Sequence, residues 1–182
     1  TVIGMYAEML AAATDAVSGA FSYMSNNYVE RQVLDWCKDL LGYPLTASGL
    51  LTSGCSASNL IGLAVARNTL AGFDVRGKGM TDQTRRMTLY CSEEAHSSIQ
   101  KAVELLGFGS DSLRRIPVNE AMQIQLSALK EAIVDDRAHG VQPLCVVGVA
   151  GTTNTGNVDD LNALADLCQE EGLWFHVDGA FG

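Results

Sequence analysis

The stretch PLCVVGVA at residues 143–150 decides the fold, because it is an unbroken apolar run of the length of one strand. A strand with one face in water alternates apolar and polar residues, whereas a parallel strand covered by helices on both faces is apolar throughout. The polar turn GTTNTG at residues 151–156 follows immediately. We therefore expect a central strand of a parallel sheet that ends in a polar loop.

Strands and helices alternate on both sides of this run. Apolar residues recur at helical spacing in the intervening segments, which are each ten or more residues long. Such alternation predicts right-handed crossovers and a parallel sheet. The predicted fold class is α/β, a three-layer α/β/α arrangement with a mainly parallel sheet. Further strands are predicted at residues 88–91, 113–118 and 173–177.

The first part of the chain is predicted to be helical. Residues 27–41 carry one apolar stripe, and residues 60–70 are apolar nearly all round, which predicts a helix buried on most sides. Residues 76–79 are expected to form a polar surface loop. Residues 1–21 read as an amphipathic helix and not as a signal peptide, because they lack a basic amino-terminal region. No repeat, low-complexity tract or linker is found, so we expect one domain or part of one.

Composition excludes several classes of partner. The formal net charge of -9 among 182 residues argues against nucleic acid and against an anionic membrane surface. No run approaches the roughly 18 to 20 apolar residues that a membrane span needs. The five cysteines form no CxxC pair, so we expect reduced packing residues of a cytosolic protein, neither disulfides nor a metal site. The expected partner is a small molecule.

Four polar groups are predicted where strands end and helices begin, which is where parallel α/β sheets bind ligands. The first, TSGCSASN at residues 52–59, combines a glycine, small residues and hydroxyls at a helix start, which suits an anion such as phosphate. An ordinary helix cap uses the same residue types, so both interpretations stay open. The other three groups are SEEAHSS at residues 92–98, GTTNTG at residues 151–156 and HVDGAFG at residues 176–182.

Two titratable residues in these groups are candidates for chemistry. His96 follows a strand at a predicted helix start, where it could cap the helix or stack on a planar cofactor and pass protons. Asp178 ends an apolar strand, and its desolvation is unfavourable unless it meets a cation or strong donors. His176 should share a face with Asp178 and serve packing or a hydrogen bond. His139, after a helix, should be exposed.

One ligand would use all of these groups. Pyridoxal phosphate needs a phosphate cradle, a partner that stacks on its ring, and a buried anion that keeps its pyridine nitrogen protonated. Unit charges about 4 Å apart attract by roughly 4 kcal/mol at an effective dielectric constant near 20, which is enough to hold that proton at neutral pH.

Over its full length the chain resembles the group II pyridoxal-phosphate-dependent decarboxylases of fold type I, which include the aromatic-L-amino-acid, glutamate and histidine decarboxylases. The resemblance implies two catalytic residues: His96, which would stack on the ring and help to protonate the substrate carbon, and Asp178, which would pair with the ring nitrogen. The other implied cofactor contacts are Cys55 and Ser56 at the phosphate, Thr153, and Ala180 on the opposite face of the ring.

The sequence departs from the family pattern in places. Cys55 and Ala57 stand where Gly and Glu are frequent, and Gly179 replaces an Ala, although no required functional group is lost. No lysine here matches the family's Schiff-base lysine, which lies beyond the acid. We therefore expect residues 1–182 to be part of the large cofactor-binding domain, with residues 1–25 as an amino-terminal helical arm. The rest of that domain and a small carboxyl-terminal domain would be absent, and these residues alone inactive.

The resemblance implies that the parent protein is a homodimer that decarboxylates an L-amino acid with pyridoxal 5'-phosphate, and the cysteines predict a cytoplasmic location. Two alternatives remain open. One is another fold type I enzyme, such as a carbon-carbon lyase or an aminotransferase-like protein. The other is a non-catalytic protein that keeps the fold. The residues present do not predict which amino acid is the substrate.

Overall fold

A computed structural model describes residues 1–14, 25–81 and 85–182, which form two compact units, residues 1–52 and 53–182. The first unit contains α1 (Val2–Thr14) and α2 (Ser25–Leu41), so the helix predicted at residues 27–41 is confirmed. The predicted amino-terminal helix is present as α1. Residues 15–24 of the predicted arm lie outside the described residues.

The second unit is built on a parallel sheet of four strands in the order β2-β1-β3-β4. Cys145 of β3 pairs with Leu89 of β1 on one side and with Trp174 of β4 on the other, so β3 is central, as the apolar run predicts. Every residue of β3 after Gln142 is buried. The strands are β1 (Met87–Ser92), β2 (Leu113–Ile116), β3 (Gln142–Val149) and β4 (Trp174–Asp178).

Helices cover both faces of the sheet, which confirms the three-layer α/β/α fold. On one face, residues of α3 and α5 such as Leu63 and Ile99 pack with Val147. On the other face, residues of α6 and α7 such as Leu129 and Leu164 pack with Val146. The helices of this unit are α3 (Cys55–Leu70), α4 (Val75–Lys78), α5 (Ser97–Leu105), α6 (Leu126–Ala138) and α7 (Leu161–Glu171).

Three details differ from the prediction. Helix α3 is buried along one side only, since it lies in an outer layer, and Val65 on its other side is 45% exposed. Residues 76–79 are not all loop: Asp74 accepts a hydrogen bond from the amide of Gly77 and thereby caps the short helix α4. Strand β2 ends at Ile116 because the next residue, Pro117, has no N–H group for the ladder.

A buried polar cluster ties β1, β2 and α6 together. The hydroxyl of Tyr90 donates to Asp136 Oδ2 at 2.7 Å, and Arg114 Nη2 lies 2.6 Å from Asp136 Oδ1. Burial favours a higher pKa for Asp136, but the hydrogen bonds from Arg114 and Tyr90 outweigh it and hold the pKa below its usual value. The cluster therefore contains an ionised, fully paired carboxylate.

The thiols of Cys91, Cys145 and Cys168 are buried in the sheet and its helices, as expected of packing residues. Burial raises the pKa of Cys91 to about 11 and that of Cys168 to about 12, so both stay protonated. Among the described residues, no helix combines the length and apolar character required to span a bilayer.

Candidate active site

The order in which the chain adds strands to the sheet reverses between β1 and β3. The chain leaves β1 for β2 on one side, whereas it leaves β3 for β4 on the other. Ligands of parallel α/β proteins bind at such a switch point, at the carboxyl ends of the strands. His96 follows β1, Thr153 follows β3 and Asp178 is the last residue of β4, so the topology places all three at this edge.

Asp178 is a buried carboxylate, and the donors that hold it in the described part of the chain are neutral. It is 5% exposed, although it ends a strand. Its Oδ2 accepts from Asn59 Nδ2 at 3.0 Å, and its Oδ1 accepts from Cys55 Sγ at 3.3 Å and from the Ala180 amide at 3.2 Å. Within the described ranges, no lysine or arginine forms an ion pair with it. A cation beside the carboxylate would balance this buried charge.

Helix α3 begins next to this carboxylate, with a glycine at its N-cap position. This N-cap, Gly54, has φ +156° and ψ 167°, a conformation that essentially only glycine adopts, and as a glycine it supplies no side-chain cap. A Cβ at Gly54 would meet no atom within 4 Å, so space is open above the turn. Cys55 and Ser56 are the first helical residues. The N–H groups of a helix's first turn have no acceptor within the helix, so they are suited to bind an anion. The arrangement fits the predicted phosphate cradle.

His96 lies at the start of α5, as predicted, and caps that helix. Its Nδ1 accepts from the Ser98 amide at 3.2 Å and lies 2.9 Å from Ser98 Oγ, while the imidazole is exposed. Ser98 is buried, and its Oγ accepts from Asn59 Nδ2 at 3.1 Å. His96 and Asp178 are therefore both connected to Asn59.

Sequence reasoning did not single out Asn59, although it is the centre of the site. Its side chain is 1% exposed and it lies one helical turn after Cys55, on the same face of α3. Its Oδ1 accepts from His176 Nε2 at 2.8 Å, which confirms the predicted hydrogen-bonding role of His176. The i, i+4 spacing of Cys55 and Asn59 within TSGCSASN was the signal that could have identified it.

The buried position of His176 favours the neutral form of its imidazole. Burial lowers its pKa, and the opposing attraction of Asp178 is the weaker effect. The ring lies against Gly62 of α3, where a Cβ would approach its Cε1 to 2.7 Å. The buried charge of Asp178 is thus not neutralised by its histidine neighbour.

The remaining candidates lie on exposed loops at the same edge. Ala180 is joined to Asp178 through its amide, as stated above. In the part of the chain that the structure describes, Thr153 has no hydrogen bond to the other candidates. Its neighbour Asn154 donates to Glu94 Oε2 at 2.9 Å and so links the loop after β3 to the loop before His96.

A second residue that sequence reasoning missed fixes the loop after β3. Asp159 is 4% exposed; its Oδ1 accepts from the amide of Ile124 and its Oδ2 from the amide of Val149, each at 2.8 Å. These bonds hold the end of β3, so the loop that carries Thr153 starts from a fixed position. Backbone partners satisfy both oxygens of this acid, which makes its role structural.

A cavity of about 560 Å³ opens at the opposite edge of the sheet, at the amino ends of β1 and β2. Arg85, Arg86 and Arg114 line it. None of the candidate residues reaches it. We therefore place the site at the carboxyl edge, where the buried acid is.

Comparison with known proteins gives consistent matches. The sequence matches the family model described as "Pyridoxal-dependent decarboxylase conserved domain" over residues 1–182. It is 38% identical over 181 residues to aromatic-L-amino-acid decarboxylase of Bacillus atrophaeus, covering 99% of this chain and 36% of that protein. It is 31% identical over 193 residues to L-2,4-diaminobutyrate decarboxylase of Acinetobacter baumannii, covering 100% of this chain and 38% of that protein.

The fold matches solved structures as well. The crystal structure of the glutamate decarboxylase domain of diaminobutyrate-pyruvate transaminase and L-2,4-diaminobutyrate decarboxylase from Vibrio parahaemolyticus aligns with a TM-score of 0.89 and 32% identity. The alignment covers 98% of this chain and 40% of that chain. The present chain thus spans less than half the length of each of these relatives.

Proposed function

The chain belongs to the pyridoxal-dependent decarboxylase family, and from this membership we propose that the protein uses pyridoxal 5'-phosphate to decarboxylate an L-amino acid. The two named relatives act on an aromatic amino acid and on L-2,4-diaminobutyrate. Their substrates share the α-amino acid group and differ in the side chain. The proposal therefore commits to the reaction at the α-carbon and leaves the side chain open.

One observation carries the proposal: Asp178 is a buried carboxylate, and its hydrogen-bond partners among the described residues are all neutral. When bound, protonated pyridoxal phosphate supplies an electron sink for the bond that breaks at the α-carbon. A carboxylate about 4 Å from the ring nitrogen stabilises that proton by roughly 4 kcal/mol at an effective dielectric constant near 20. Asp178 supplies this charge without an ion pair that would have to be broken first.

The start of α3 is proposed to hold the phosphate. Cys55 and Ser56 begin the helix beside Gly54, where an added Cβ would meet no atom within 4 Å, and the helix dipole favours an anion there. Since Cys55 Sγ also contacts Asp178, the proposed phosphate site and the acid are held directly next to each other. A cofactor anchored at both ends is oriented before the substrate arrives, which is the entropic part of catalysis.

Three further residues are proposed to contact the cofactor. His96 would cover one face of the ring and Ala180 the other, and Thr153 would contact it from the loop after β3. The support for His96 is its position: Nδ1 is occupied by the helix cap, and the rest of the ring is exposed at the sheet edge. Its Nε2 is then the atom that would hold a proton for the substrate carbon.

We also propose that the protein is a cytoplasmic homodimer. The five cysteines are free thiols, which suits a reducing compartment. Helix α1 exposes Val2, Ile3 and Met5 and carries only one charged residue, Glu8, so it offers an apolar surface to a second subunit.

Measurement of carbon dioxide release tests the proposed reaction. The full-length protein, supplied with pyridoxal phosphate, should decarboxylate at least one L-amino acid from a set with aromatic, acidic and basic side chains. Asp178→Asn should lower the rate about a hundredfold to a thousandfold, because the charge worth about 4 kcal/mol is removed. Asp111→Asn, at an exposed acid, is the matched control. Release from no substrate, or equal rates for Asp178→Asn and the control, would contradict the proposal.

A further inference from the structure

Hydrogen-bond donors and acceptors around Asn59 can be assigned without ambiguity. An asparagine amide has two protons on Nδ2 and an acceptor at Oδ1. Nδ2 faces the carboxylate of Asp178 and also Ser98 Oγ, so it uses one proton for each. The reversed orientation would set two oxygens against each other in a buried site. Oδ1 is thereby left for His176, which must donate from Nε2.

The assignment extends to His96 through Ser98. Ser98 Oγ accepts from Asn59, so its own proton is free to point to His96 Nδ1 at 2.9 Å. The Ser98 amide also donates to this nitrogen, at 3.2 Å. With two donors directed at it, Nδ1 cannot carry a hydrogen of its own. The neutral imidazole of His96 therefore has its proton on Nε2.

We propose that Asn59 and Ser98 are positioning residues that fix the carboxylate of Asp178 and the tautomer of His96 as one hydrogen-bonded unit. Asn59 holds Oδ2 of the acid while Cys55 and the Ala180 amide hold Oδ1, so the orientation of the carboxylate is fixed. Through Ser98, the same amide keeps the His96 proton on Nε2, the nitrogen not engaged in the helix cap. The catalytic purpose of this unit rests on the proposed function, whereas the hydrogen bonds do not.

The unit is buried where it must be rigid. Asn59 is 1% exposed and Ser98 is 2% exposed, so water does not compete for these bonds. Every polar atom of the two side chains has a partner, and a fully satisfied buried network of this kind specifies one arrangement. Neither side chain would touch the cofactor in this arrangement, since both act through Asp178 and His96.

Nitrogen NMR of the imidazoles tests the proposal on the full-length protein without cofactor. With ¹⁵N-labelled histidine, the shifts of Nδ1 and Nε2 report which nitrogen of His96 is protonated. The wild type should show the Nε2–H form. Ser98→Ala should raise the ratio of Nδ1–H to Nε2–H about fivefold, the effect of one lost hydrogen bond. Ser98→Thr, which keeps the hydroxyl, should restore the wild-type ratio. Ser97→Ala, at the exposed neighbouring serine, is the matched control and should leave it unchanged.

The role of Asn59 is tested in the same spectra. Asn59→Ala should shift the ratio in the same direction, and should add nothing in a Ser98→Ala background, because Asn59 acts through Ser98. If the alanine variant does not fold, Asn59→Ser replaces it in this test, because a serine hydroxyl has one proton whereas the contacts with Ser98 and Asp178 need two. An Nδ1–H form in the wild type would overturn the proposal. So would a Ser98→Ala ratio equal to that of the control, or an Asn59 effect that persists without the Ser98 hydroxyl.

Pyridoxal phosphate titration of the same samples separates this inference from the proposed function. If the tautomer ratios follow the prediction but no cofactor binds, the hydrogen-bonded unit stands and the proposed function fails. If the cofactor binds but the ratios do not change, the unit is wrong and the proposed function is untouched.

Discussion

The side-chain amide of Asn59 lies 3.0 Å from the carboxylate of Asp178, although 119 residues separate them along the chain. This bond joins helix α3 to the end of strand β4. The same helix begins at Cys55 and Ser56. One helix-strand contact therefore sets the distance between the proposed phosphate cradle and the acid that would face the ring nitrogen.

The close approach of α3 to β4 depends on Gly62. A Cβ at this position would lie 2.7 Å from Cε1 and 2.8 Å from Nδ1 of His176, so an alanine must displace the ring or the helix. We predict that Gly62→Ala lowers the free energy of unfolding by about 1–3 kcal/mol, as overpacking does. Urea unfolding measures this change.

Two controls define the cause. Gly4→Ala in α1 is also a glycine-to-alanine change within a helix, and it should be neutral or stabilising because alanine favours helices. In a His176→Ala background, Gly62→Ala should lose most of its effect. Stabilisation by Gly62→Ala in the wild type would show that the contact is not tight.

Burial of His176 should make stability depend on pH. Its pKa is lowered by burial, so the unfolded chain binds a proton more readily than the folded chain does. The stability that the neutral His176 contributes is fully present above the pKa of the unfolded state, about 6.5. It is lost as the pH falls from that value through the lower pKa of the folded state. The free energy of unfolding should therefore decrease between about pH 7 and pH 5.

Measuring urea midpoints across this range tests the assignment to His176. His176→Gln removes the titrating group and should flatten the profile. The control is His139→Gln, at an exposed histidine directly after α6, and its profile should have the same slope as that of the wild type. A profile that keeps its slope in His176→Gln would assign the pH dependence to other groups.

The paired carboxylate of Asp136 should be a major contribution to stability. Asp136→Asn removes the charge that Arg114 and Tyr90 both bind, and we expect a loss of about 2 kcal/mol, moderated because the Arg114 side chain is 38% exposed. Since the pKa of Asp136 is lowered, this contribution is present above about pH 4 and is lost in stronger acid.

Thermal unfolding at pH 7 checks this prediction. Asp135→Asn, at the neighbouring exposed acid, is the control and should have little effect. Tyr90→Phe should lose about 1 kcal/mol, the contribution of one hydrogen bond. If Asp136→Asn unfolds at the same temperature as Asp135→Asn, the cluster does not stabilise the sheet.

Cys55 offers a chemical probe of the phosphate cradle. Burial and the neighbouring Asp178 raise the pKa of its thiol, so it should react slowly with iodoacetamide. Pyridoxal phosphate bound over the first turn of α3 should slow the reaction about tenfold or more at cofactor concentrations well above the dissociation constant.

Mass spectrometry of the alkylated peptides gives the rates at individual cysteines. Cys37, which is exposed on α2, is the internal reference and should react equally with and without cofactor. Equal protection of both cysteines, or protection of neither, would place the cofactor elsewhere.

The sequence predicted the parts of the structure that local patterns encode. The apolar run of β3 indicated a central parallel strand, and the alternation of strands and helices indicated the three layers. The acid at the end of β4 was identifiable because a carboxylate that follows an apolar strand must be desolvated. These features depend on neighbours in the sequence and on general rules of sheet topology.

The sequence did not predict which polar residues would be buried together. Asn59 looks like a residue of a helix cap, and only its contacts with Ser98 and Asp178, 39 and 119 residues away, give it a role. Asp159 has the same character, since its bond to Ile124 spans 35 residues. The exposure of Val65 was also missed, because an apolar helix does not indicate how many of its sides meet other elements.

The protonation state of the bound cofactor's ring nitrogen is the most direct test of the role of Asp178. Pyridoxal phosphate labelled with ¹⁵N in the ring, bound to the full-length protein near pH 7.5, reports this state through its nitrogen chemical shift. We predict a protonated nitrogen in the wild type and an unprotonated one in Asp178→Asn. The same shift in both proteins would contradict the account, because the buried acid would then not govern the charge on the ring.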